Sequence, residues 1–459
     1  MSLTAALPSV RPARIHRRHP LLRIIGENNI LDNFTPEAFE KDLIEQRTVF
    51  VSTFLINKPS LVKHILIDNS PNYARTQASQ SIFKPVMGSG LFANDGPSWK
   101  RHRRIVAPVL QPRSLENYTE IMRDVLASTI ERWRTFEPGH TVDLSAELIQ
   151  LSLQIIAKSM ASVDSDVIVQ PMARGVADYL ARARIGFADV WGLPAWVPRL
   201  GKNHRIAARA FREFDTALQK LIDARMGDRR AGPADLLTQL MATLDSADPL
   251  TRREIRDEII NIFLTGHETT SATIGWMLYL LCLHPEAERR VHEEVASAAA
   301  AGLASDSDLS HLPYTEMVLQ ETLRLYPAGY SIARQALGED QIDGHRVRKG
   351  SRMLVLPWVL HRHRKHWRYP DRFWPAHFEP DAAAARSRFV YIPFGIGPRM
   401  CVGAHFAMKE MAMTVTALLQ HFKFELDTGQ VVRPYAFLGL RPKTGIRMRI
   451  FPRQAGPAA

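Results

Sequence analysis

Residues 394–403 read "FGIGPRMCVG", and they hold one of only two cysteines in 459 residues. A cysteine kept for packing would need neither the glycines nor the arginine beside it. A thiolate that ligates a metal must be made acidic, shielded and held at a fixed distance. Gly395 and Gly397 allow a tight bulge whose backbone amides can point at sulfur. Phe394 supplies an apolar cover, and Cys401 stands at the start of a helix expected from about Val402, where the positive end of the dipole favours a negative sulfur. Gly403 permits close approach of a flat ligand, and Arg399 is placed to reach an anionic group on its rim. No second cysteine stands nearby for a zinc or iron–sulfur site, which takes several protein ligands. One thiolate with an aromatic shield suits a haem, whose four equatorial ligands are its own.

Around this loop the patterning is helical. Residues 114–136, 143–162, 205–227, 251–283, 284–300, 314–325 and 402–421 carry helical periodicity. Strand-like text is confined to about 47–56, to 340–356 with an Asp343-Gly344 hairpin signal, and to the C-terminal region. The passage 357–380, rich in proline and tryptophan, reads as an ordered irregular meander. The expected fold is mainly α with a small β-rich lobe at about 30–75 and 330–360, in one domain over 27–459. Residues 1–26 form a basic leader without an acidic residue. No apolar run approaches the roughly 20 residues of a membrane span, and no unit of about 20–50 residues repeats.

Composition narrows the function. Apolar residues make up 46%, enough for a large core. Two cysteines exclude a disulfide scaffold and suit the reducing cytoplasm. The net charge of +12 points to acidic partners. Nucleic acid is not expected among them, because the basic residues are dispersed and no binding motif accompanies them.

Two helices carry unexpected polar groups. Thr251 and Glu254 form a capping box at the start of a long helix that is apolar on nearly every face. Its middle nevertheless holds Gly266, His267, Glu268, Thr269 and Thr270. Such a notch can be a kink with satisfied polar groups, or a place for oxygen, water and protons beside a cofactor. Glu321 and Arg324 lie three apart on one face of another helix, amid leucines. Most such pairs are solvated surface pairs; a buried pair here would hold the meander.

Taken together these motifs resemble the cytochrome P-450 monooxygenases. The cysteine loop fits the family's haem signature Phe-x-x-Gly-x-Arg-x-Cys-x-Gly, and "GHETT" at 266–270 is similar to its oxygen-activating helix. Glu321-Thr-Leu-Arg324 resembles its Glu-x-x-Arg element. Trp99 and Arg103 have the spacing of haem propionate contacts, and Arg334 occupies the position of another. Two positions depart from the family pattern. His377 stands in an arginine slot, which implies a weaker partner for Glu321. Thr265 precedes the glycine where a small apolar residue is usual; its hydroxyl either bonds back to the preceding turn or protrudes over the haem.

The resemblance implies a soluble monooxygenase holding haem b (iron protoporphyrin IX) between the long central helix and the cysteine-loop helix. Cys401 would be the axial iron ligand, with Trp99, Arg103, Arg334, Arg399, Phe394, Gly395, Gly403 and Gly266 around the cofactor. Thr269 and Glu268 would deliver protons to dioxygen, and Glu321, Arg324 and His377 would be structural. Electrons would come from NAD(P)H through an acidic ferredoxin or flavodoxin with its reductase, docking on a basic face that includes Arg364, Lys365 and Arg399. The substrate would be a hydrophobic small molecule, in a pocket lined from 73–92, Leu264, 327–333 and 436–440. The alternatives are a haem-thiolate peroxygenase driven by hydrogen peroxide, a haem isomerase or dehydratase, and a haem sensor without catalysis. The Glu268–Thr269 pair disfavours the first.

Overall fold

A computed structural model describes residues 29–453, apart from 49–50, 164–167, 169, 173, 176–177, 180–201, 228–234, 247, 302–310 and 437–438. The leader at 1–26 lies outside the described residues.

The small lobe is a five-stranded sheet that joins two distant parts of the chain. Strands β1 (Leu43–Arg47), β2 (Ser52–Ile56) and β3 (Tyr73–Ala74) come from the N-terminal part. After β4 (His140–Asp143), strands β5 (Ile332–Ala336), β6 (Asp340–Ile342), β7 (His345–Val347) and β8 (Arg352–Val355) follow the helical body. The sheet order is β1-β2-β8-β5-β3, and β2 and β8 are its one parallel pair among the described strands. Phe54, Ile56, Met353 and Val355 bury the lobe's own apolar cluster. The β6–β7 hairpin turns on Asp343 and Gly344, at φ +44° and +80°. Two positive φ values in a two-residue loop match the right-handed strand twist, as the Asp-Gly signal implies. Near the C-terminus, β9 (Phe422–Leu426), β10 (Pro434–Ala436), β11 (Leu440–Pro442) and β12 (Arg447–Pro452) form a β4-β12-β9 sheet and a β10–β11 hairpin.

The helical body is built around one long element. The helices needed below are α1 (Gln77–Met87), α2 (Gly96–Val106), α3 (Glu116–Arg134), α4 (Leu144–Ala161), α5 (Arg252–Leu283), α6 (Pro313–Leu325) and α7 (Ala404–His421). The capping box at the start of α5 is formed: Glu254 N donates to Thr251 Oγ1 at 3.1 Å, and Thr251 N donates to Glu254 Oε2 at 2.8 Å. From Ile255 to Leu281 most α5 side chains are buried, as its all-round apolarity demands. The expected helix over 205–227 is two helices, Lys202–Ala210 and Arg212–Gly227. Among the described residues no helix is long and apolar enough to cross a membrane.

Three carboxylate or amide side chains in the first half of α5 are buried, and each fastens a neighbouring segment. Asp257 accepts from Ser89 N at 2.8 Å, and Asn261 accepts from Phe92 N at 2.8 Å. The loop after α1 is thereby pinned to the central helix. Glu258, fully buried, meets the equally buried His102 of α2 at 2.6 Å, while Glu254 stands 3.2 Å from the other ring nitrogen. Burial alone would lower the pKa of His102, but the two glutamates reverse this and raise it above the usual histidine range. Burial pushes the Glu258 carboxyl up as well. The raised His102 pKa contributes stability that is fully present below the unfolded histidine pKa and lost as pH rises through the folded one, while the raised Glu258 pKa adds a loss that begins at the unfolded glutamate value. Chemical denaturation across pH should therefore show stability falling from about pH 6.5 upward, and His102→Gln should flatten that limb.

Candidate active site

The cysteine loop is shaped by two glycines in left-handed geometry. Gly395 has φ +72° and Gly397 φ +78°. A Cβ at Gly397 would also stand 2.3 Å from Leu66 O, so no larger residue fits this turn. Cys401 N donates to Phe394 O at 2.9 Å and Met400 N to Gly397 O at 3.0 Å, closing the bulge. Phe394 is partly buried against the main core. Cys401 is a free cysteine that is exposed at the surface left by the loop and yet closely surrounded by protein. Surrounding protein pushes its thiol up, while the Gly403 amide and the Arg103 charge pull it down. The helix expected from Val402 begins at Ala404, three residues past the sulfur. The protein alone therefore does not make this thiol acidic, and a bound cation would have to do so. Around Gly403 there is open space: an added Cβ would have Leu110 Cδ1, 4.0 Å away, as its nearest neighbour outside the adjoining residues.

Beside the loop, positive charge accumulates. Trp99 of α2 is buried, with the Arg399 guanidinium 4.2 Å and that of Arg103 5.8 Å from its ring centroid. Arg103 donates to Met400 O at 2.9 Å, Arg334 to Ala333 O at 2.9 Å, and Arg399 pairs with Asp95. A residue not expected from motifs joins them. Arg75, just after β3, lies 4.6 Å from the Phe92 ring centroid, and its buried Nε has no hydrogen-bond partner. Desolvation and the charges of Arg334 and Arg399 lower its pKa to about 9; desolvation and Arg399 lower Arg334 to about 10. Cations held under such mutual strain fit an anionic ligand. The two carboxylates of a haem, with the Cys401 thiol within reach of the Arg103 charge, answer that requirement. Only the approach to sheet and loop, not any spacing, identifies Arg75.

In α5, Thr265 Oγ1 donates to Asn261 O at 2.7 Å, so its hydroxyl bonds back to the preceding turn. Thr269 Oγ1 likewise donates to Thr265 O at 2.8 Å. Glu268 is mostly buried, and Arg441 Nε of β11 lies 3.7 Å from its Oε1. His267 is buried with Nδ1 2.5 Å from Phe263 O, and burial lowers its pKa. The smallness of Gly266 serves helix packing: an added Cβ would stand 2.7 Å from Ile156 Cδ1 on α4.

Glu321 and Arg324 of α6 are fully buried and form two parallel bonds of 2.7 Å. The remaining donors of Arg324 reach the carbonyls of His361 at 2.8 Å, and of Pro370 and Arg372 at 2.7 Å each. Trp374 N donates to Glu321 at 2.7 Å, and His377 Nδ1 lies 3.2 Å from it. The meander contains a short helix, Pro357–Leu360, and a 3-10 turn, Pro375–Phe378, and is otherwise irregular. Arg364 and Lys365 pair with Glu40 and Asp42, and Arg399 is internal, so the basic face expected of these three residues is not free.

A family model described as Cytochrome P450 matches residues 38–447. A putative cytochrome P450 132 of Mycobacterium tuberculosis is 31% identical over 406 residues, covering 86% of each chain. Cyclooctatin synthase of Streptomyces melanosporofaciens is 29% identical over 406 residues, covering 86% of this chain and 85% of that one. The crystal structure of the cytochrome P450DA heme domain superposes with a TM-score of 0.76 at 22% identity, over 90% of both chains.

Burial alone would raise the Glu321 pKa, but the charge and hydrogen bonds of Arg324 carry it below the usual carboxylate value. The pair thus stabilises the fold above the unfolded glutamate pKa, and that contribution is lost as pH falls through the folded one. Glu321→Gln should cost about 3–5 kcal/mol in the denaturant midpoint. His377→Ala should cost less, because Arg324 and Trp374 still hold the carboxylate.

Proposed function

The chain belongs to the cytochrome P450 family and is a haem-dependent monooxygenase, and from that premise we propose the residues, substrate class and electron source by which it works. The observation that carries the assignment is the Cys401 thiol within reach of the Arg103 charge, and Arg103 joined through Arg399 to Arg75 and Arg334 in one positive cluster. When bound, haem supplies activation of dioxygen, with one oxygen atom entering the substrate and the other leaving as water. Cys401 would hold the haem iron, its own backbone fixed by the amide bond to Phe394 O. The four arginines and Trp99 bind and orient the propionates.

Thr269 and Glu268 hold and move protons. The Thr269 hydroxyl already donates to Thr265 O, so its lone pairs are the part available to accept a bond. Giving a proton requires that hydroxyl to rotate away from the helix and be resupplied from Glu268, one residue back. Thr265, bonded to Asn261 O, stays out of the relay.

The substrate is a hydrophobic small molecule. Phe83 and Phe92, edge to face at 4.8 Å, with Leu264 and Leu440, supply the apolar lining on this reading. Electrons come from NAD(P)H through an acidic ferredoxin or flavodoxin and its reductase. Beside the meander, a second candidate docking face lies on α2 and just beyond it, where Lys100 and Arg113 are exposed together with Arg104, 3.5 Å from Asp248. The reducing cytoplasm suits both free cysteines.

Cys401→Ala should abolish the red-shifted thiolate band of the reduced carbon-monoxide complex; retention of the band would disprove the ligand assignment. Thr269→Ala should keep consuming reductant while releasing hydrogen peroxide instead of product. Product yield per reductant equal to that of the unaltered protein would exclude the threonine relay.

A further inference from the structure

The positive cluster beside Cys401 contains one negative group, and its contacts are unusual for a helix cap. Asp95 caps α2, with Oδ1 accepting from Gly96 N at 3.1 Å. The same oxygen pairs with Arg399, while Oδ2 accepts from Arg75 N at 2.7 Å. One carboxylate therefore fastens three separated pieces of chain: the segment after β3, the start of α2 that carries Trp99 and Arg103, and the cysteine loop. Its charge also acts on Arg334, which it does not touch.

We propose that Asp95 is a positioning residue that gathers the propionate-binding arginines and, as a third carboxylate beside the two of the haem, lowers the reduction potential of the iron. The inference rests on the haem-thiolate reading above. Its logic is a count of charge. Four guanidinium groups against two propionates leave two positive charges uncompensated in a desolvated place. Asp95 reduces that excess to one. The Asp95 side chain is 26% exposed, and partly buried charges are screened less than surface ones, so its charge is felt at the iron. Because a negative charge favours the oxidised, more positive metal, Asp95 holds the potential down. A cap kept only for helix stability would have no such effect.

Asparagine caps helices as well as aspartate and nearly matches its shape. Asp95→Asn therefore removes the charge while keeping the cap, and Asp95→Ser does so with a different capping side chain. The holoprotein of each, with Asp95→Glu as the charge-retaining control, would be titrated spectroelectrochemically for the midpoint potential. Both neutral variants should shift to a more positive potential, and Asp95→Glu should lie nearer the unaltered protein. Neutral variants with a normal thiolate band and an unmoved potential would overturn the role of Asp95 alone. Absence of the thiolate band from the unaltered protein itself would overturn the haem-thiolate reading and this inference with it.

Discussion

A buried backbone without regular secondary structure must find donors for its carbonyls, and in this protein Arg324 provides them. The meander turns its His361, Pro370 and Arg372 carbonyls onto one guanidinium, which Glu321 neutralises. The consequence reaches the cysteine loop through His361. Its ring Nε2 accepts from Ile392 N at 2.9 Å, which requires a neutral imidazole; burial and the charges of Arg324 and Arg362 hold its pKa well below the usual value. Tyr391 adds a hydroxyl bond to Gln320 O at 2.9 Å. The segment entering the loop is thus tied at both Tyr391 and Ile392 to groups that the ion pair has already placed. Depth of the sulfur is set from helix α6, not from the loop alone.

The site spends stability to hold unlike charges where water would ordinarily separate them. Beside the cysteine loop, arginines are crowded with a single aspartate, and α5 carries carboxylates through an apolar interior. Each α5 carboxylate or amide in the first half has a backbone or histidine partner, so these groups fasten the loop after α1 and helix α2 to the same rod. The loop after α1 and helix α2 are therefore both referenced to α5.

Much of this was legible in the residues. The Phe394–Gly403 spacing, the Glu321–Arg324 pair and the polar notch at 266–270 each pair a residue type with a chemical need, and the burial of the Glu321–Arg324 pair is seen in the fold. Helix limits were readable within a few residues because the capping box at Thr251 and the prolines at 285 and 313 mark them. Less was legible where an interaction joins distant chain without a motif. Arg75 belongs to the arginine cluster only because β3 pairs with β5, which carries Arg334. The closeness of Gly266 to Ile156 of α4 likewise has no signal in the sequence. Arg364 and Lys365 read as a free basic face until Glu40 and Asp42, more than 300 positions earlier, are seen opposite them.

The contact of Gly266 with Ile156 bears on how this scaffold can diversify. With α4 seated directly on α5, a sideways shift of the central helix toward α4 would have to displace the Ile156 side chain. Variation in what the cleft accepts must then be carried by parts whose backbone can change length: the loop after α1, and the β10–β11 hairpin. A descendant with new selectivity would keep the rod and its seat and rewrite those two borders.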